Sequence, residues 1–265
     1  MIDPRRTRRI VLRALAGSIA AVLLAGGVSI AVFRHTSTPS NATSSPIQLL
    51  KRSVPSSVGH IPLVNQNGQA TDLADFDGRV IVLADFMTSC QEECPITTGA
   101  LLTVEQSLAS AHLLDKVEVV EVTVDGWRDD PARLRAYQKA FGVNWTLLTG
   151  TVSNLSKLWS FFGVSYERVA EENPPDINWE TNRPYTFDID HSDDAFIFGS
   201  DGTERAVTGG NANVGGVLPK ALSKLLDSQG EQDLKEPGYG SWTPADMLQA
   251  VGTVIGRTIP LAPQG

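Results

Sequence analysis

Cysteine and histidine are both scarce. The 265 residues hold two cysteines, Cys90 and Cys94, and four histidines. An all-cysteine zinc site is therefore excluded, because a structural zinc usually takes four protein ligands. Positive charge is also scarce where a nucleic-acid partner would need it. Six arginines, but only one acid (Asp3), fall in residues 1–35. The remainder carries 16 basic and 29 acidic residues, a net charge of −13. A nucleic-acid surface needs clustered positive charge, so no nucleic-acid partner is expected. No internal repeat is visible, which sets repeat architectures aside. What remains, 42% hydrophobic and 20% charged residues, is the composition of an ordinary globular chain.

Charge is wholly absent from residues 14–33. As a helix these 20 residues would be about 30 Å long, the thickness of a bilayer core. Arginines crowd the N-terminal side, which keeps residues 1–13 in the cytoplasm and sends the rest across. The expectation is a single-pass anchor in the cell (inner) membrane, with the folded part on the extracytoplasmic, periplasmic side. A cleaved signal is the alternative. Thr7-Arg8-Arg9 resembles a twin-arginine signal, and Ser29-Ile30-Ala31 offers small residues for cleavage. Residues 34–58, rich in Ser, Thr and Pro, read as a flexible linker.

The folded domain is placed at residues 59–230. Asn67-Gly68 between two short apolar stretches is a hairpin signal. Residues 79–84, Arg-Val-Ile-Val-Leu-Ala, suit a strand buried on both faces. A helix is expected after Pro95 and a second central strand at residues 117–124. Asp130-Pro131 opens another helix that runs to about Phe141, with Gly142 as its stop. A strand at 145–148, a helix at 154–162, a strand at 195–198 and a last core helix at 214–227 complete the domain. Residues 173–184, with three prolines, form an inserted loop. Such alternation implies an α/β sheet with helices on both faces. The C-terminal tail, 231–265, is read as separate, with a helix start at Thr243-Pro244-Ala245-Asp246.

Chemistry concentrates at Ser89-Cys90-Gln91-Glu92-Glu93-Cys94-Pro95, between the buried strand and a helix N-terminus. That position favours thiolate, which is both nucleophile and metal ligand. A structural disulfide is the bland alternative, but so short a loop would stabilise the fold little. Residues four apart share a helical face, so two thiolates could converge there on one soft ion; a bridge between them would require local unwinding. Soft sulfur favours copper(I), and an added imidazole suits copper in either oxidation state. His35, His60 and His112 read as surface residues. His191 lies in the loop before a strand that can approach the first helix, where it could swing away to release metal. Neighbouring Asp190 is the candidate to orient its ring. Glu92 and Glu93 read as ordinary acids of a helix's first turn, or as groups that tune the choice of partner.

Taken in order, these motifs resemble the Sco/SenC family of copper-binding thioredoxin-fold proteins. The matching segments are Asn67-Gly68 with residues 73–80, Cys90-x-x-x-Cys94-Pro95, residues 124–131, residues 148–151, and Asp190-His191-Ser192 followed by Asp201-Gly202. The resemblance covers about residues 60–227. It implies a thioredoxin-like fold: a central mixed sheet flanked by helices, an N-terminal hairpin and an inserted loop. It also implies one copper, Cu(I) or Cu(II), held by Cys90, Cys94 and His191. The implied role is that of a metallochaperone serving the dinuclear copper site of cytochrome c oxidase, by metal delivery or by reducing its cysteines. The implied partners are the oxidase's copper-bearing subunit and other extracytoplasmic copper chaperones or thioredoxin-like reductases. A conventional enzyme is not expected. The rival is a membrane-anchored thiol–disulfide oxidoreductase using Cys90 and Cys94 as its redox pair. Against it, such reductases usually carry a proline before the strand facing the cysteines, whereas here His191 stands nearby and the closest proline is Pro184.

Overall fold

Seven consecutive buried residues, Val80–Phe86, form the strand around which the fold is built. The computed structural model describes residues 45–263, so the anchor expected at residues 14–33 lies outside the described residues. In chain order the elements are β1 (Ile47–Arg52), α1 (Ser56–Gly59), β2 (Leu63–Asn65), β3 (Ala70–Thr71), β4 (Val80–Phe86), α2 (Glu93–Ser110), β5 (Val117–Thr123), α3 (Pro131–Phe141), β6 (Thr146–Thr149) and α4 (Val152–Phe162). They continue with β7 (Tyr166–Val169), β8 (Asp188–His191), β9 (Ala195–Phe198), β10 (Glu204–Thr208), α5 (Lys220–Ser223), α6 (Ser228–Lys235) and α7 (Pro244–Ile255).

Eight strands make one mixed sheet in the order β1-β10-β9-β4-β5-β6-β2-β3. β4, β5 and β6 run parallel, while β9 is antiparallel to β4 and β10 to β9. The unit β4-α2-β5 followed by the β9–β10 hairpin is the thioredoxin-like core. Right-handed crossovers place α2 and α3 on one face, whereas α4, on the return to β9, covers the other. Phe162 of α4 accordingly packs on Phe196 and Phe198 of β9, with ring centroids 5.2 and 5.5 Å away. Helix ends follow their caps. Asp130 accepts a hydrogen bond from the Arg133 N–H ahead of Pro131, and Gly142 closes α3 at φ 74°.

Four expectations need correction. The supposed linker contributes β1, whose Ile47 is buried and whose backbone pairs with β10; its polar residues face solvent from the edge of the sheet. The helix expected at 214–227 is only the single turn α5, preceded by two glycines with positive φ, Gly215 and Gly216. The tail is not separate. Its α7 packs against α2, β4 and β1, burying Met247, Leu248 and Val251. Finally, β8 pairs with β7 in a small second sheet where sequence periodicity suggested only a loop.

Candidate metal centre

β4 ends at Phe86, and the chain then turns through residues 87–92 into α2. Cys90 lies in that turn and Cys94 in the first turn of the helix. The two thiols therefore do not share a helical face. A turn followed by a helix start brings them together instead, and the Cys94 N–H donates to Cys90 Sγ at 3.3 Å. A bridge between them thus needs no unwinding of regular helix. Cys90 is 9% exposed and Cys94 1%.

The turn is braced from below. The Thr88 N–H donates to Asp129 Oδ2 at 3.1 Å, and the Thr123 hydroxyl donates to the same oxygen at 2.6 Å. Burial, aided by nearby Asp125, pushes Asp129 up to about 6. The inserted loop braces the turn from above, where Trp179 Nε1 donates to the Thr88 carbonyl at 2.7 Å and Gln91 Nε2 to the Ile177 carbonyl at 2.8 Å. Behind it, a Cβ on Gly230 would come within 2.5 Å of the Gln91 carbonyl oxygen, so α6 needs glycine there to approach the turn. None of these supports was read from the sequence.

His191 closes the centre from the end of β8. Its Nε2 is 3.4 Å from Cys94 Sγ, and its side chain is 4% exposed. The ligand atoms of Cys90, Cys94 and His191 all lie within 4.8 Å of one another. Asp190 does not orient the ring; it is exposed and pairs across the small sheet with Glu167. That place is taken by Asp85 of β4, whose Oδ2 is 2.8 Å from His191 Nδ1. A swinging histidine is thereby corrected to one held by a strand and a carboxylate. The signal was available, since Asp85 is the one charged residue in an otherwise apolar strand. Asp193 lies in the same cluster, and its buried Oδ1 has no hydrogen-bond partner among the described residues. Of the other histidines, His60 bonds Asp72 at 3.0 Å away from the centre, His112 ends a helix, and His35 lies outside the described residues.

The electrostatics divide the thiols. The hydrogen bond from Cys94 outweighs burial and, with His191 beside it, holds Cys90 well below the usual thiol range. Burial and the neighbouring Cys90 push Cys94 well above that range. Burial opposes a charged His191, but the hydrogen bonds to Asp85 and Cys90 prevail and raise it well above its ordinary value. Without metal, the shifts of Cys90 and His191 thus both favour the charged pair, thiolate beside imidazolium. Its mouth is acidic. Burial pushes Glu92 up to about 8 and Glu93 to about 7, with the Cys90 thiolate adding to both. Neither acid is plain helix capping, because Glu92 makes no capping hydrogen bond and Glu93 accepts from Asn211. These acids, with Glu172, Asp176 and Asp188, line a cavity of about 310 Å³ over Cys90 and His191.

The SCO1/SenC family model matches residues 52–225. This chain belongs to the SCO1/SenC family. The matched span includes both cysteines, His191 and Asp85, but stops before α7. A candidate copper-binding protein of Stutzerimonas stutzeri is 25% identical over 172 residues, covering 65% of this chain and 78% of that protein. The human mitochondrial protein SCO2 homolog is 26% identical over 144 residues, covering 54% of this chain and 50% of its own length. The chain therefore spans only half of that relative. Among solved structures, copper-bound ScoI of Bradyrhizobium japonicum is 21% identical, with a TM-score of 0.46, covering 66% of this chain and 94% of that one.

Proposed function

We propose that this protein is a copper carrier that holds one ion between Cys90, Cys94 and His191 and passes it to the copper-bearing subunit of cytochrome c oxidase. The observation that carries this reading is the convergence of two thiols and one imidazole within 4.8 Å. Two soft sulfurs and one borderline nitrogen match copper better than calcium or magnesium, which take oxygen ligands. Three protein donors leave a coordination position open for a ligand of the recipient. Burial of the donors keeps water from competing. The copper-binding name of the Stutzerimonas stutzeri relative agrees with this choice. Anchoring by residues 14–33, with the domain outside the cytoplasm, belongs to the same proposal.

Titration of the reduced chain with copper tests the reading, with one equivalent expected to bind. Cys90→Ser and Cys94→Ser should each weaken copper(I) most, whereas His191→Ala should weaken copper(II) most. In cells under limiting copper, the double cysteine variant should lower oxidase copper content as deletion does, with partial rescue by added copper. Unimpaired oxidase assembly in that variant would rule the carrier role out.

The split between the thiols favours a second reading, thiol–disulfide exchange. The Cys90 thiolate would attack one sulfur of a substrate disulfide and release the other as thiolate. Cys94, giving up its proton, would then attack Cys90 Sγ and release the second substrate thiolate. The substrate gains two electrons and the protein keeps a Cys90–Cys94 disulfide. That disulfide should exclude copper, so copper uptake compared between the dithiol and oxidised forms links the two readings.

A further inference from the structure

Asp85 lies in the middle of the sheet with its side chain fully buried. A carboxylate there is costly unless its oxygens are bonded, and both are. Oδ1 accepts from the Asp194 N–H at 2.8 Å, and Oδ2 meets His191 Nδ1 at 2.8 Å. The same Nδ1 lies 3.0 Å from the Ser192 carbonyl oxygen. A ring nitrogen facing two acceptors carries a proton. Nε2 is then the nitrogen turned to Cys94 Sγ and available to a metal. No other described residue contacts both the imidazole and the loop that follows it in this way.

We infer that Asp85 is a positioning residue that fixes the tautomer of His191 and sets the centre's preference between copper(II) and copper(I). This rests on the copper reading above. A carboxylate behind a ligating imidazole orients the ring and raises its donor strength. Two thiolates alone satisfy copper(I), whereas copper(II) gains from a strong nitrogen donor. Asp85 reaches the ring from a strand 106 residues away in sequence, so the preference is built into the sheet rather than into the loop that bears the histidine.

The test measures copper(II) and copper(I) affinities separately, by chelator competition on the full chain. Asp85→Asn should weaken copper(II) by roughly 10- to 100-fold, the range typical for such supporting groups, and leave copper(I) nearly unchanged. The bound copper's reduction potential should then rise by about 60–120 mV, at 59 mV per tenfold for one electron. In the His191→Ala background, Asp85→Asn should change the ratio no further. Equal losses for both ions, an unchanged ratio, or a full effect without His191 would overturn the inference. Should Asp85→Asn fail to fold, the wild-type chain with 15N-labelled histidine, loaded with zinc(II), gives the answer by NMR. A proton on Nδ1 and metal on Nε2 are expected, and the reverse would overturn it. A wild-type chain that takes up no copper would end the copper reading itself, whereas copper uptake with an unchanged ratio ends this inference alone.

Discussion

At the scale of single residues, environment separates groups that the sequence makes identical. Cys90 and Cys94 are both thiols, yet their surroundings hold the first well below the usual thiol range and push the second well above it. Alkylation of the metal-free, reduced chain should therefore modify Cys90 first. Because Cys90 is held well below the usual thiol range, its rate should rise with pH less steeply than that of an ordinary thiol near 8.5, which gains almost tenfold per unit between about pH 6 and 8. Peptide mass spectrometry with a denatured control reads this out; a rise as steep as an ordinary thiol's would contradict the lowered value. Glu121 gives a second case. It is fully buried on β5, accepts from Trp145 Nε1 at 2.8 Å and from the Thr98 hydroxyl at 3.2 Å, and burial pushes it up to about 7. The folded state thus binds this proton more tightly than the unfolded chain, where the value is about 4.3. Stability should fall as pH rises from about 4.5 to 7, by at most about 3 kcal/mol for this group. Glu121→Gln can keep an acceptor for Trp145 and should flatten that fall, as denaturant unfolding at several pH values would reveal.

At the scale of elements, segments with strong local signals stand where the sequence places them. Val80–Phe86, Pro131–Phe141 and Val152–Phe162 have either a continuous apolar run or matched caps. Elements whose role depends on distant contacts do not announce it. The start of α7 is legible from Thr243 and Pro244, with a capping box to Asp246. Its docking site is not, because an apolar stripe carries no address. The consequence is measurable. Leu248 is 1% exposed, and Leu248→Ala should cost about 2–5 kcal/mol, lowering Tm by roughly 5–15 °C for a domain of this size. Ending the chain before Thr243 should remove Met247, Leu248 and Val251 together and leave the domain largely unfolded, since typical total stability is only about 5–15 kcal/mol. An unchanged melting curve would make the tail dispensable.

At the scale of the whole molecule, the basic start and the acidic remainder imply different surroundings. Residues 14–33 are expected to persist in the mature protein, so that it leaves the membrane fraction only with detergent. N-terminal sequencing that began near Val32 would refute this. The −13 charge of the remainder favours a partner with a basic rim. Charge governs encounter more than affinity, so the association rate with the oxidase subunit should fall with added salt more than the dissociation rate changes.

The sequence by itself determined the α/β alternation, the thiol pair at a strand-to-helix junction, and His191 as the histidine worth pursuing. These follow from local patterns: apolar periodicity, caps, and one short spacing. Tertiary structure alone decided the rest. It put Cys90 outside the helix, made Asp85 rather than Asp190 the partner of His191, drew β1 out of the apparent linker, and packed α7 into the core. Each depends on residues tens to more than a hundred positions apart, and hydrogen bonds and buried contacts across such distances follow from how the sheet is ordered, which no local pattern encodes.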